Sequence, residues 1–496
     1  MEITYADVKT KAKNLRFKNQ AFINGHYVAS ASGNTFDCIN PATGQVLTHV
    51  AACDREDVDK AVLAARHAFD KGVWSQTAPE KRKQILLAFA DSIEKHQLEL
   101  ALLETLDMGK PISDSLNDVT YAVKSLRWNA EIIDKIYDQI APTDPNVLAL
   151  ITREPIGVVG AVTPWNFPLY LACAKIGPAL VTGNSVIIKP AEQSPLTTIF
   201  IAELAANAGV PEGVLNVIPG FGETAGQAMG LHAGIDAISF TGSTEVGKLF
   251  LKYSADSNMK RVSLECGGKS PNIVLTDCEN LDQVAKQSAA GAFFNQGEVC
   301  CAPTRLLVAD SIRDELVTKL VNFSKEFQPG DPLDPKTVMG AIVDQTQLQR
   351  VLKYIQTGKT EGATLVTGGN QVRQDTGGCF VEPTIFSKVH NAMTIAREEI
   401  FGPVLSVLSF KDEAEAIKIA NDTHYGLAAS LWTNDINKAH RIAKALRAGV
   451  VSVNCINSGD VTTPFGGYKQ SGIGRESSFY GLEHYLEIKT TWIQLS

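Results

Sequence analysis

The 496 residues carry 46 Lys and Arg against 54 Asp and Glu, a net charge of −8 with a pI near 5.7, so no long-range attraction to nucleic acid or an anionic membrane surface is expected. At 44% hydrophobic and 20% charged residues the composition is globular, and domains of roughly 100 to 200 residues predict two or three of them. Nine cysteines, at positions 38, 53, 173, 266, 278, 300, 301, 379 and 455, are odd in number and include no CxxC pair, which argues against a disulfide framework and a zinc ribbon and for a reducing cytoplasm.

The first residues, MEITYADVKTKAKNLRFKNQ, are polar and lack the apolar core of a secretory signal, so export is not expected. The one long apolar run, residues 156–181 (IGVVGAVTPWNFPLYLACAKIGPALV), contains Pro164, Pro168 and Pro178 with Asn166 and Lys175. A membrane span tolerates that set poorly, and the run reads as buried strand, turn and helix. Strand 156–162 is followed by a helix over 168–181 with proline in its first turn. Then come strand 185–189, helix 197–209 ending on glycine, strand 214–218, a short helix over 224–231, strand 237–240, helix 244–253 and strand 261–265. Strand and helix alternate throughout, which implies right-handed crossovers, a parallel sheet and helices on both faces.

In such a sheet ligands collect outside the carboxyl ends of the strands. The turns there read PWN (164–166), KPAE (189–192), PGFGE (219–223), TGSTE (241–245) and CGGK (266–269). GSTEVGKL has P-loop spacing, but Leu249 stands where a Ser or Thr would ligate magnesium, which excludes a kinase or ATPase of that type. GFGETAG has its third glycine one place late for the GxGxxG fingerprint and is weak evidence alone. Backbone amides at the helix start after Gly242, with the Ser243 hydroxyl, would suit a pyrophosphate.

After Gly268 a second α/β unit begins with strand 272–276, a helix over 281–294, the loop GEVCCAPTR (297–305) and a further strand, and runs on to the strand 450–454. Two adjacent thiols in that loop are either small buried hydrophobes or a nucleophile and its neighbour. A cysteine hydrolase would want a histidine base, and the nine histidines lie in no motif that pairs with the loop. If the loop faces the first unit's ligand edge, the active site is a cleft between the two units.

LECGGKSPNI (264–273) followed by NQGEVCCAPTR (295–305) resembles the glutamate and cysteine signatures of the NAD(P)-dependent aldehyde dehydrogenases. The resemblance runs from about Phe22 to the C-terminus and includes PWNFP, KPAEQSP, FTGSTEVG, EEIFGPV and PFGGYKQSGIGRE in the right order. It implies an α/β fold with a Rossmann-like doubly wound NAD-binding domain (1–133 and 155–267), an α/β catalytic domain (268–476) and a small β oligomerisation arm (134–154 and 477–496).

By that resemblance Cys300 is the nucleophile and Cys301 a neighbour lining the substrate side. A thiolate adds readily to an aldehyde, and the thioester left after oxidation is easily hydrolysed. Glu265 matches the base that activates the deacylating water, Asn166 the side-chain donor that joins the Cys300 N–H on the oxyanion, and Lys175 with Glu476 a proton relay. Lys189 and Glu192 match the pair holding the adenosine ribose, and Trp165, Gly222, Gly242 and Ser243 lie by the pyrophosphate. Glu399 and Phe401 belong to the nicotinamide end. Glu192 would repel a 2′-phosphate, which favours NAD, while Lys189 partly offsets that repulsion and leaves NADP as a second cofactor. No metal is implied.

Pro303 stands where many relatives have glycine, stiffening the loop and removing an N–H. In NCINSGD (454–460) the polar Asn457, Ser458 and Asp460 replace pocket aromatics and suggest a polar or cationic tail, with Phe167, Tyr170 and Phe465 as apolar walls. The chain looks most similar to bacterial dehydrogenases acting on γ-glutamyl-γ-aminobutyraldehyde and related ω-amino aldehydes of putrescine and polyamine breakdown. A broad-specificity aliphatic or hydroxy-aldehyde dehydrogenase is the rival. From other classes, a coenzyme-A-acylating relative would usually lack the Glu265 glutamate, and a non-catalytic structural relative would have little need of Cys300, Glu265 and Asn166 together. A small-molecule aldehyde, no nucleic acid, no membrane, and a homodimer or homotetramer in the cytoplasm are expected.

Overall fold

The computed structural model describes residues 4–456 and 459–495. Five parallel strands form the centre of the first sheet, in the spatial order Leu215–Val217, Ser185–Lys189, Val158–Val162, Ala237–Thr241 and Arg261–Glu265. The chain therefore winds outward one way from Val158–Val162 and then the other way. The reversal leaves a crevice at the carboxyl end of that strand, where such sheets bind ligands. Val158, Val186, Ile187 and Ile188 are completely buried, each contributing about 1.5–3 kcal/mol by leaving water. That two-sided burial is why these strands read as continuous apolar runs.

Antiparallel strands flank this centre: Ala21–Ile23 with His26–Val28 on one side and Gly472–Ile473 on the other. Gly472–Ile473, which the sequence-derived division puts in the second unit, pairs with Leu264 and Glu265 of the first sheet. Only glycine fits position 472, where a Cβ would collide with the Leu264 carbonyl. The expected short helix over 224–231 is a wider turn, Gly222–Gly226, running into a single helical turn, Gln227–Leu231. Four helices absent from the sequence reading, Arg55–Asp70, Pro79–Lys95, Gln97–Met108 and Ile112–Ile132, cover this unit.

The second sheet has seven strands, in the order Thr364–Thr367, Thr384–Ser387, Val404–Phe410, Arg305–Ala309, Pro271–Val274, Ala428–Trp432 and Val450–Val453. All pairings but the first are parallel. A three-stranded antiparallel sheet stands apart, with Val147–Pro155 between Gln139–Ala141 and the C-terminal Leu486–Gln494. Among the described residues no helix is long and apolar enough to cross a membrane.

Candidate active site

The turn after Val158–Val162 carries Trp165 and Asn166, and Pro168 opens the next helix at a position where its missing N–H costs nothing. Asn166 is buried, and its Nδ2 donates to the Glu298 carbonyl at 2.8 Å. It thus faces the cysteine loop.

That loop is delivered by a sharp reversal. The helix Leu281–Phe293 ends, and Asn295 (φ 49°), Gln296 (φ 57°) and Gly297 (φ 71°) all adopt left-handed backbone. For the two non-glycine residues this costs about 1–3 kcal/mol each unless the surroundings enforce it. Here they do: Asn295 Nδ2 donates to the Asn166 and Glu298 carbonyls at 3.1 and 3.3 Å, and Gln296 Oε1 accepts the Gly340 N–H at 2.9 Å. At Gly297 a Cβ would strike the backbone of Gly402 and Pro403, so the glycine lets EEIFGPV lie against the cysteine loop.

Both glycines of CGGK serve close approaches as well. A Cβ on Gly267 would overlap the Glu399 carboxyl, and one on Gly268 would lie 2.5 Å from the Cys300 carbonyl oxygen. The Gly268 N–H donates to Glu399 Oε1 at 3.1 Å. Burial pushes the Glu399 carboxyl up to about 7, against that N–H and the charges of Arg350 and Lys269.

All nine cysteines are free thiols, and Cys300, Cys301 and Cys455 are the partly exposed ones. The Cys300 thiol is pushed well above its ordinary value, first by donating to the Cys301 sulfur, then by burial and by the charges of Cys301, Glu399 and Glu265. The same hydrogen bond lowers Cys301. The Cys300 N–H has no protein acceptor among the described residues.

Glu265 ends strand Arg261–Glu265 and is 4% exposed, and neither carboxyl oxygen has a hydrogen-bond partner among the described residues. Burial, then the nearby Glu476, hold it well above the usual carboxylate range, with Lys175 and Arg475 opposing. Gly466 packs against it, a Cβ there lying 2.6 Å from Glu265 Oε1. Lys175 Nζ is fully buried and donates to Glu476 Oε1 at 2.5 Å and to Ser239 Oγ at 3.2 Å, and the Tyr485 hydroxyl joins Ser239 at 3.1 Å. Lys175 and Glu476, separated by most of the catalytic unit in sequence, are therefore a bonded pair.

At the far side of the crevice Lys189 Nζ is held by the carbonyls of Gly220 at 2.6 Å and Pro190 at 2.8 Å, with Glu192 at 3.4 Å. Burial lowers the Lys189 ammonium, against Glu192. Gly222 has open space where a side chain would begin, whereas Gly242 is covered by the Phe240 ring. Ser243 caps the helix Thr244–Ala255 by accepting the Val246 N–H at 3.2 Å, which leaves its hydroxyl hydrogen free. Trp165 and Phe401 meet edge to face with ring centroids 5.1 Å apart, and Phe401 is itself left-handed (φ 58°).

On the other side, Phe167 stacks on Phe294 at 6.3 Å and lies under the buried Lys110 ammonium at 4.2 Å. Tyr170 meets Tyr121 edge-on at 6.3 Å, and burial with the charges of Glu476, Asp118 and Cys300 pushes its hydroxyl up to about 12. Phe465 pairs through both backbone groups with Glu476 at 2.7 and 2.8 Å. Asp460 is not a free carboxylate: it is ion-paired with Lys124, which together with Thr462 holds it down to about 2. Asn457 and Ser458 lie outside the described residues.

Several partners of the expected site residues were missed in the sequence. Gln347 holds the Ile400 and Phe401 carbonyls at 3.1 and 2.6 Å, Tyr121 meets Tyr170, Phe294 and Lys110 meet Phe167, and Lys124 pairs with Asp460. Tyr121 and Lys124 sit three apart on one helix face, a spacing that could have been read had that helix been assigned. Among the described residues no cluster of His, Cys, Asp and Glu has the form of a metal site.

A model of the aldehyde dehydrogenase family matches residues 27–491. The chain belongs to the aldehyde dehydrogenase family. It is 51% identical to the NADP/NAD-dependent aldehyde dehydrogenase PuuC of Escherichia coli K12, over 98% of this chain and 97% of that one. A mutant of P. syringae AldA, an indole-3-acetaldehyde dehydrogenase solved with NAD+ and IAA, superposes with a TM-score of 0.98 at 56% identity, covering 99% and 100% of the two chains. The γ-glutamyl-γ-aminobutyraldehyde dehydrogenase of Burkholderia cenocepacia J2315 gives the same TM-score and coverage at 53% identity. The aldehyde dehydrogenase fold expected from the motifs is thus the fold of this chain.

Proposed function

We propose that this aldehyde dehydrogenase oxidises an aldehyde to a carboxylic acid with NAD, through an acyl group carried on Cys300. The observation that supports the assignment is that the Cys300 backbone, packed on Gly268 just after the Asn295–Gly297 reversal, has an N–H with no protein acceptor among the described residues, with Asn166 held on the neighbouring Glu298 carbonyl. The crevice fits the cofactor: Lys189 and Glu192 for the adenosine ribose, the amides opening Thr244–Ala255 with Ser243 for the pyrophosphate, open space at Gly222, and Glu399, Phe401 and Trp165 around the nicotinamide. When bound, NAD supplies the hydride acceptor.

Cys300 begins as a protonated thiol, so a base must take its proton before sulfur can attack the carbonyl carbon. Glu265, held well above ordinary carboxylates, is matched to that task and to drawing a proton from the water that later cleaves the thioester. Asn166 Nδ2 and the Cys300 N–H stabilise the oxygen that becomes negative in both steps. Lys175, Glu476 and Ser239 form the hydrogen-bonded relay beside Glu265. Glu192 favours NAD over NADP, with Lys189 softening the difference.

For the aldehyde we propose an ω-amino or γ-glutamylamino aldehyde of polyamine breakdown, supported by likeness to PuuC and to the B. cenocepacia enzyme. The aromatic walls Phe167, Phe294, Tyr121 and Tyr170 favour a second reading, an aryl-acetaldehyde, as AldA is described. A panel of γ-glutamylaminobutyraldehyde, aminobutyraldehyde, indole-3-acetaldehyde and propanal with NAD and with NADP separates these. The first reading predicts the highest kcat/KM for the γ-glutamyl substrate, and a preference for the indole aldehyde overturns it. Free acid rather than acyl-CoA as product excludes the coenzyme-A-acylating alternative.

The domain division of the motifs, at 1–133 with 155–267, 268–476, and 134–154 with 477–496, remains our reading, with Gly472–Ile473 as its exception. We also propose a cytoplasmic homo-oligomer joined through the three-stranded arm, which presents Ile140, Ile488, Trp492 and Leu495 to solvent in a single chain.

A further inference from the structure

Glu298 lies just before the cysteines, and no role follows from its motif. Its side chain is completely buried. One carboxyl oxygen accepts the Val343 N–H at 3.1 Å, and the other has no partner among the described residues. Burial holds the carboxyl well above the usual carboxylate range, against the Val343 N–H and with Asp344 adding to the rise. A buried acid with an unpartnered oxygen is a net cost to folding, and stability does not account for it.

Its main chain does something more specific. The Glu298 carbonyl accepts Asn166 Nδ2 at 2.8 Å and Asn295 Nδ2 at 3.3 Å, using both lone pairs. A carbonyl can face only the NH2 side of a carboxamide, so this contact decides which way Asn166 is turned. The second Asn166 amide hydrogen has no protein acceptor among the described residues and remains for a ligand. The turn of the Asn166 amide therefore depends on where the Glu298 backbone sits, and the side-chain bond to Val343 helps to hold that backbone.

We propose that Glu298 is the positioning residue of the oxyanion site: its side chain ties the cysteine loop to Val343, and the tie places the carbonyl that turns the Asn166 amide toward the substrate oxygen. The proposal rests on the reading of Asn166 as an oxyanion donor, and its test separates the two.

The test is a double-mutant cycle of Glu298→Leu and Asn166→Ala, measured as kcat with NAD in excess, with NAD binding and thermal melting followed in parallel. Asn166→Ala alone should lower kcat on the order of 10²–10³-fold. Glu298→Leu alone should lower it about 10–100-fold through a misplaced donor, with unchanged NAD affinity, but less than about 3-fold once Asn166 is gone. Glu298→Gln keeps an oxygen for Val343 and should restore activity to within about 3-fold of wild type. Equal losses from Glu298→Leu in both backgrounds, undiminished kcat, or a Gln variant as poor as the Leu variant would each overturn the proposal alone. Inactive wild-type protein or a fully active Asn166→Ala would overturn the oxyanion reading and the proposal with it. Should Glu298→Leu not fold, Glu298→Asp, too short to reach Val343, enters the same cycle with the same expected and contrary results.

Discussion

Gly466→Ala tests the placement of Glu265 without replacing either reacting side chain. The added Cβ would lie 2.6 Å from Glu265 Oε1 and 2.9 Å from both Arg475 Cδ and the Gly474 carbonyl oxygen, at a φ of 154°. The gap to ordinary contact is roughly 0.6–0.8 Å on the carboxyl side, and the backbone carbonyl cannot yield, so the carboxyl must move. Backbone strain of about 1–3 kcal/mol adds to crowding of about 1–3 kcal/mol. A displacement of this size at a catalytic base costs on the order of 10–100-fold in turnover. Stopped-flow NADH absorbance distinguishes the steps: an initial burst reports acylation of Cys300, and the steady rate reports hydrolysis. The variant should keep a burst amplitude near one equivalent per site, reached more slowly, while the steady rate falls. A steady rate equal to wild type, with an unchanged melting temperature, would show that Glu265 is not held where the structure has it.

Because both Cys300 and Glu265 are pushed up, their proton-free forms grow as pH rises, and kcat should climb from neutral into alkaline pH. Glu265 also makes a stability prediction. The unfolded chain loses that proton at lower pH than the native one, so its contribution falls as pH rises above the unfolded value toward the native one. Glu265→Gln should therefore raise the melting temperature more at pH 9 than at pH 5, and a shift independent of pH would contradict this. Asp460→Ala frees the Lys124 cation at the substrate side. It should raise KM for a cationic amino aldehyde about 2- to 5-fold while leaving propanal unchanged, and equal effects on both would remove the pair from recognition. Lys110→Met would leave Glu104 and Asp118 buried without their cation, and denaturant titration should show a loss of about 3–5 kcal/mol.

The parallel centre of the first sheet was legible because strands buried on both faces appear as uninterrupted Val and Ile runs between glycine and proline turns. Its antiparallel edges were not: Gly472–Ile473 is too short for any periodicity, and only its pairing to Leu264 and Glu265 makes it a strand. Cys300, Glu265 and Asn166 were reached through motifs, and Gly267, Gly268 and Gly297 show what the motifs encode, which is room for Glu399, the Cys300 carbonyl and the Gly402–Pro403 backbone. Glu298, Gln347 and Lys110 act through buried hydrogen bonds or a cation over a ring to partners distant in sequence, and no local spacing announces such contacts. Asp460 shows the converse. Its charge was visible in the chain, but the Lys124 that neutralises it sits on a helix more than three hundred residues away.

Quenching the Glu265→Gln variant during turnover with NAD and aldehyde, followed by peptide mass spectrometry, is the most direct measurement of the central claim. The account predicts an acyl adduct on Cys300, formed more slowly because the thiol has lost its base but persisting because hydrolysis has lost the same base. An adduct on Cys301, or none under conditions where NADH has formed, would contradict it.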